Sequence, residues 1–315
     1  MLRTQLATPG PFLRPTTPRP IGLAIGLGFL ALLATSAGPG ARPARAQAPD
    51  STGDLPAAPA SAADTTPPAL NSSAGMARGL PFGPGESLRF SIEYGLLKAG
   101  SAWLEVAPMA TYRGRRCYHL VSRAESNDFM SAIFKVRDRI DSLIDADGLY
   151  SWRYRKRMRE GGYRQDYDVF YDQRAHRALY ADGRSFDISP WSKDGLAAFY
   201  YVRHMPLEVG KDIRVAHHSD KRSTTIVVKV HGREHVKTPA GEYDCFVIEP
   251  VMEAGSIFAK KGKLLIWVTD DERRLPVLMK SKVAVGSITA VLNEVKLGGP
   301  AGGAGAPGTQ AASGF

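Results

Sequence analysis

The feature that most constrains this chain is a two-residue alternation of apolar and polar side chains, broken at short intervals by turn residues. In residues 86–94, Leu88, Phe90, Ile92 and Tyr94 fall on one face, and Ser87, Arg89, Ser91 and Glu93 on the other. Successive side chains of a strand point to opposite faces, so this segment reads as a half-buried antiparallel strand. Residues 238–292 repeat the pattern at larger scale. A Pro239-Ala240-Gly241 turn leads into a strand, then a second ending in Trp267, a charged turn at Asp270-Asp271 and two further strands. Ala102, Leu104 and Val106, and residues 118–124 and 134–144, follow the same rule.

One segment has helical spacing instead. After Ser189-Pro190, the residues Leu196, Phe199, Tyr200 and Arg203 recur at three- and four-residue intervals, and Pro206 ends the run. The spacing predicts a short helix over about 194–203 with its aromatic face on the sheet.

The strands also echo one another. Ile133-Phe134-Lys135 is followed by Asp147 and then Lys156, and Ile257-Phe258 by Asp271 and then Lys280 at the same separations. Upstream, Pro84-Gly85-Glu86 answers Val209-Gly210-Lys211, and Cys117-Tyr118 answers Cys245-Phe246. Two related β-meanders, each with an apolar face to cover, and one helix imply a mainly β fold. The expected form is a strongly curved antiparallel sheet or open barrel packed against that helix.

Outside this region the composition changes. Arg3, Arg14 and Arg19 precede an apolar run over 21–33, and Ala44-Arg45-Ala46 supplies a small-residue cleavage site. The run is shorter than the roughly 20 residues of a spanning helix, so 1–46 reads as a signal peptide. Within 1–46 there is no Arg-Arg pair and no Cys behind the run, so neither twin-arginine export nor lipid anchoring is suggested, and a Sec-type signal with a periplasmic or extracellular location is expected. Residues 47–79 are mostly Ala, Pro, Ser, Thr and Asp, and 298–315 are mostly Gly and Ala, both too poor in apolar side chains to order themselves. A single β-rich domain over 80–297 remains. The formal charge is +10; setting aside the five arginines of 1–46 and the net −2 of the linker leaves +7 on the rest. That balance favours acidic partners without specificity.

Candidate sites have competing structural readings. Arg153, Arg155, Arg157 and Arg159 share one face of a strand, a stripe suited to phosphate or a polyanion. Folding the hairpin at Gly161-Gly162 sets Arg157 opposite Asp166 and Arg155 opposite Asp168, which leaves Arg153 and Arg159 as the candidate anion contacts. Cys117 and Cys245 are either bridged in an oxidising compartment or two buried thiols. His217, His218, His231 and His235 lack the spacing of a zinc site, and His231 and His235 flank Gly232 rather than a helix. Asp270, Asp271 and Glu272 are either a carboxylate pair or turn chemistry beside Arg273 and Arg274. Trp103, Trp152, Tyr154, Tyr167, Phe199, Tyr200 and Trp267 either line an apolar pocket under the curved sheet or fill its core. No phosphate loop, nucleophile elbow or dinucleotide fingerprint occurs, so no cofactor is expected.

Four segments, PFGPGESLRFSIEYGLLKAG, DGLAAFYYVR, TPAGEYDCFVIEP and IWVTDDERRLPVLMKSK, resemble an exported bacterial family known as domain of unknown function 3108. The resemblance spans about 82–297. It implies export and the fold just described, and it brings no catalytic residues with it. The expected function is therefore a non-catalytic envelope protein that binds a hydrophobic or amphipathic envelope component or a partner protein. It would not bind nucleic acid, nor be integral to the membrane once the signal is removed. The alternatives are an envelope hydrolase whose site escapes motif reading and a purely structural assembly module.

Overall fold

In the computed structural model the described residues are 79–253, 263–282 and 286–299. The signal, nearly all of the linker, the tail beyond Gly299 and the Ile257-Phe258 half of the sequence echo lie outside them.

Among the described residues the chain forms fourteen strands and two helices. The first part contains β1 (Ser87–Tyr94), β2 (Leu97–Tyr112), β3 (Arg115–Ser126), α1 (Asp128–Ile133), β4 (Arg137–Asp145) and β5 (Ser151–Glu160). It continues with β6 (Tyr163–Asp172), β7 (Arg177–Tyr180), β8 (Ser185–Asp187) and α2 (Gly195–His204). The second part contains β9 (Asp212–Ser219), β10 (Arg222–Thr238), β11 (Gly241–Met252), β12 (Leu264–Thr269), β13 (Pro276–Lys282) and β14 (Ser287–Lys296).

All fourteen strands belong to one antiparallel sheet, in the order β8-β7-β6-β5-β4-β3-β2-β1-β14-β13-β12-β11-β10-β9. Each meander pairs its own neighbours by hairpins, and the two join where the first strand meets the last, from Ser87↔Lys296 to Tyr94↔Ile288. The mainly β, antiparallel expectation is met. The echoed residues fall on corresponding strands: Cys117 on β3 and Cys245 on β11, Lys156 on β5 and Lys280 on β13.

Strands β8 and β9 are consecutive in sequence yet stand at opposite edges of the sheet. Curvature brings those edges together. Tyr171 Oη donates to the His218 carbonyl (2.8 Å), Ser223 Oγ to the Asp187 carbonyl (2.6 Å), and the Lys221 N–H to Tyr180 Oη (2.7 Å). A short parallel bridge between Lys193 and His217 covers part of the free edge of β9. Side chains and one connecting segment thus close the seam and shield edges that would otherwise template further pairing.

Helix α2 lies between these edges in sequence and inside the curve in space. Gly195, Leu196, Ala197, Ala198, Phe199, Tyr200, Val202 and Arg203 are all buried. A helix apolar on every side must be enclosed, and this one packs against β3, β4 and β9. Its bounds lie one residue from the expected 194–203. The sequence reading has one helix where the structure has two. The six-residue α1 ends just before Phe134, where the sequence reading begins a strand, and β4 itself starts at Arg137. The chain must turn between β3 and β4, and Asn127 caps the turn by accepting the Met130 N–H at 2.9 Å.

Candidate functional site

The inside of the curved sheet is where a ligand would sit. An apolar cleft lies between α2 and strands β9 to β12, lined by Phe199, Val202, Val215, Ile226, Val228 and Ile266 among others. Its volume is about 20 Å³. That is space for about one water, whereas pockets for drug-sized or lipid-like molecules run from roughly 300 Å³ upward. Among the described residues, the buried α2 occupies the interior beside this cleft.

Of the seven aromatic candidates, only Phe199 reaches this cleft. Tyr154 and Tyr200 are buried in the core, and Tyr167 is half-buried. Trp267 is likewise buried in the core, whereas Trp103 and Trp152 are half-buried. Arg123 lies 4.9 Å from the Trp103 ring, and Arg89 lies over the same ring at 5.8 Å. Trp152 donates to Asp145 Oδ2 at 3.1 Å, and Trp267 donates to Glu234 at 2.7 Å beneath Lys280. The structure therefore scatters the set. Tyr154, Phe199, Tyr200 and Trp267 fill the core, the second of the two alternatives, while Trp103 and Trp152 serve as platforms for Arg123 and Arg115.

The arginine stripe has the expected register, with Arg155 opposite Asp168 and Arg157 opposite Asp166. Arg155 reaches Asp168 at 3.4 Å as expected, but the shortest ion pairs run diagonally. Arg153 grips both carboxylate oxygens of Asp168 (2.9 and 2.7 Å), and Arg159 grips both of Asp166 (2.6 and 2.9 Å). The two arginines expected to be unpaired thus hold bidentate partners. The long guanidinium fork leans along its strand and reaches the neighbour two positions off the direct opposite.

Several buried polar groups lie among the described residues. Arg203 and Glu86 form a bidentate pair at 2.7 and 2.9 Å, both side chains 1% exposed. The same guanidinium donates to the carbonyls of Pro81, Arg273 and Arg274 and lies over Tyr200. Asp194 caps α2: one oxygen accepts the N–H groups of Leu196 and Ala197 at 2.9 Å, the other the hydroxyls of Ser142 and Ser151 at 2.6 Å. Lys156 is 1% exposed, and burial lowers its pKa in spite of the nearby charges of Asp220, Asp138 and Glu160. Burial also pushes the Glu160 carboxyl up to about 7, aided by its neighbour Asp138. Sequence reasoning singled out neither the ion pair nor this cluster, because their members meet only through sheet pairing.

The remaining candidates resolve locally. Cys117 and Cys245 are free and buried, and burial pushes each thiol up to about 12. His217 Nδ1 lies 3.0 Å from the Lys193 carbonyl, and His218 lies between Tyr180 and Ser223 at the seam. Burial takes both imidazoles down to about 4. His231 faces Glu249, and His235 faces Asp244 and Glu242, so the four histidines do not converge. Asp271 accepts the N–H groups of Arg273 and Arg274, and Asp270 pairs with Arg233 and Arg274, as a charged turn requires. Among the described residues no three His, Cys, Asp or Glu side chains gather as metal ligands. Nor is any helix there long and apolar enough to cross a membrane.

Among solved structures the chain is similar to a beta-barrel-like protein of domain of unknown function DUF1849 from Brucella abortus. That match has 9% identity and a TM-score of 0.45, covering 69% of this chain and 98% of the other. A candidate lipoprotein from Parabacteroides distasonis matches at 12% identity and a TM-score of 0.31, covering 70% and 99%. A candidate exported protein with a YmcC-like fold from Bacteroides fragilis matches at 16% identity and a TM-score of 0.28, again covering 70% and 99%. No curated protein matches the sequence. The family described as Protein of unknown function (DUF3108) matches residues 89–293, well over half of the chain, and the chain belongs to that family.

Proposed function

We propose that this chain is an exported, non-catalytic protein of the cell envelope. It engages an amphipathic envelope component or a partner protein with its outer surface, not within an enclosed cavity. The observation that carries this reading is the packing of α2 inside the curved sheet, where the apolar cleft among the described residues measures about 20 Å³. A lipid acyl chain does not fit such a space. The nucleophile inventory points the same way: both thiols are buried and protonated at neutral pH, and His217 and His218 are neutral and engaged in structural hydrogen bonds. Export rests on the basic start, short apolar run and Ala44-Arg45-Ala46 of the sequence.

The test is purification from the native envelope under mild conditions, followed by mass spectrometry of extracted lipid and co-purified protein. Surface engagement predicts protein or loosely held lipid that salt or detergent removes. One lipid per chain retained after gel filtration and released only on unfolding would sink it.

A further inference from the structure

A lysine, an aspartate and a glutamate share the inward face of β4 and β5. Ile140 lies opposite Lys156, and Val136, just before β4, lies opposite Glu160. Asp138 falls midway between Val136 and Ile140, so it is the diagonal neighbour of Lys156 on one side and of Glu160 on the other. Diagonal positions of an antiparallel pair stand about 7 Å apart, within reach of a long side chain. The surroundings are dry. Lys156 is 1% exposed and Asp138 8%, and Val136, Ile140 and Met158 are buried with them.

The Asp138 carboxyl is oriented from two sides. Its Oδ1 accepts the Arg159 N–H at 2.9 Å. The carboxyl also hydrogen-bonds that of Glu160, which requires a proton between the two acids. Without that proton, Asp138 Oδ2 would be buried with no donor. Burial disfavours the charged form of every member, so it moves the trio toward a neutral amine beside a protonated acid. Asp220, from the β9–β10 turn, favours the ammonium, yet the net effect on Lys156 is still downward.

We propose that Lys156 and Asp138 condense into an intramolecular amide, with Glu160 as the proton-transfer group. Lys156 Nζ attacks Asp138 Cγ, and the charge that gathers on Oδ1 meets the Arg159 N–H already aimed at it. Glu160 gives its proton to Oδ2, the Cγ–Oδ2 bond breaks, and a second proton from the amine completes the departing water. One N–C bond forms, one water leaves, and Glu160 ends as a carboxylate, so no oxidant or cofactor is consumed. Fixed proximity in place of chance encounter is what makes such a condensation accessible. Both cysteines are free, so the described residues hold no disulfide, and this amide would staple β4 to β5 independently of redox conditions. The reaction occurs once per chain and leaves the non-catalytic reading intact. Before it, the three groups titrate as a coupled set; after it, Glu160 alone does.

The test is mass spectrometry of the processed chain purified from expressing cells and unfolded before measurement. After allowance for the substitution, the wild type is expected to be lighter than Lys156→Met by one water. Its digest should contain a branched fragment in which residues 138 and 156 are joined. Glu160→Gln, which cannot pass the proton, is expected to keep its full mass and a native circular dichroism spectrum. The wild-type digest decides the matter whether or not a variant folds. A wild type at full mass overturns the proposal, as does a branch from Lys156 to Asp220. So does loss of water without a branch, the outcome of succinimide formation at Asp147-Gly148. A linked Glu160→Gln chain would overturn the role given to Glu160.

Discussion

The Arg203–Glu86 pair shows how much one residue can hold. Both charges are out of water, and the guanidinium also ties the end of α2 to carbonyls of the β12–β13 turn and of the approach to β1. Removing one partner strands the other charge, so Glu86→Ala should cost about 3–5 kcal/mol in urea denaturation. Joint replacement of the two by well-packed apolar residues should cost much less than that. A Glu86→Ala loss below about 1 kcal/mol would show that water reaches the site. Glu160 predicts a pH effect. In the unfolded chain it ionises near its ordinary 4.5, in the folded chain near 7. The folded state therefore binds the extra proton between those values, and stability falls as pH rises through that window, then levels off. Asp138, also raised by burial, adds to the slope at its low end, and Lys156 faces both. Glu160→Gln should flatten the fall, as seen in Tm from pH 5 to 8; an unaltered slope would assign it elsewhere.

At the level of the element, α2 depends on its first residue. Asp194→Ala removes a cap and strips two buried serine hydroxyls of their acceptor, for a combined loss of about 2–4 kcal/mol. Asp194→Asn should recover part of this, measured by thermal unfolding. The elements also show what the sequence made legible. Strands with one wet face announce themselves by alternation, and β1 and the β5–β6 register followed from it directly. Helix α2 was legible because Ser189-Pro190, the aromatic spacing and Pro206 agree, although the cap itself is Asp194. Helix α1 was not: it is short, and Phe129 and Ile133 point to water, so no periodic apolar face betrays it. The interior was least legible. Glu86 and Arg203 are 117 residues apart, and the cleft is lined mostly by Val, Ile and Ala, which look like any core positions.

At the scale of the molecule, two hairpin meanders make a sheet whose edges are fastened by His218, Tyr171, Tyr180 and Ser223, with a helix inside. Nearly all pairing within a meander is local. The exception is β1 with β14, which Ser87↔Lys296 joins at the middle of the sheet. Gly299 donates its N–H to Pro84 at 3.1 Å, so the two ends of the domain are neighbours. A nascent chain must therefore wait for its last ten residues of strand before the first can be sealed, and this single junction sets the longest loop that folding must close. By the same geometry, linking 299 back to 79 and opening the chain elsewhere should give a circular permutant with native circular dichroism and faster refolding. Such a permutant would make the most distant pairing in the sheet a local hairpin.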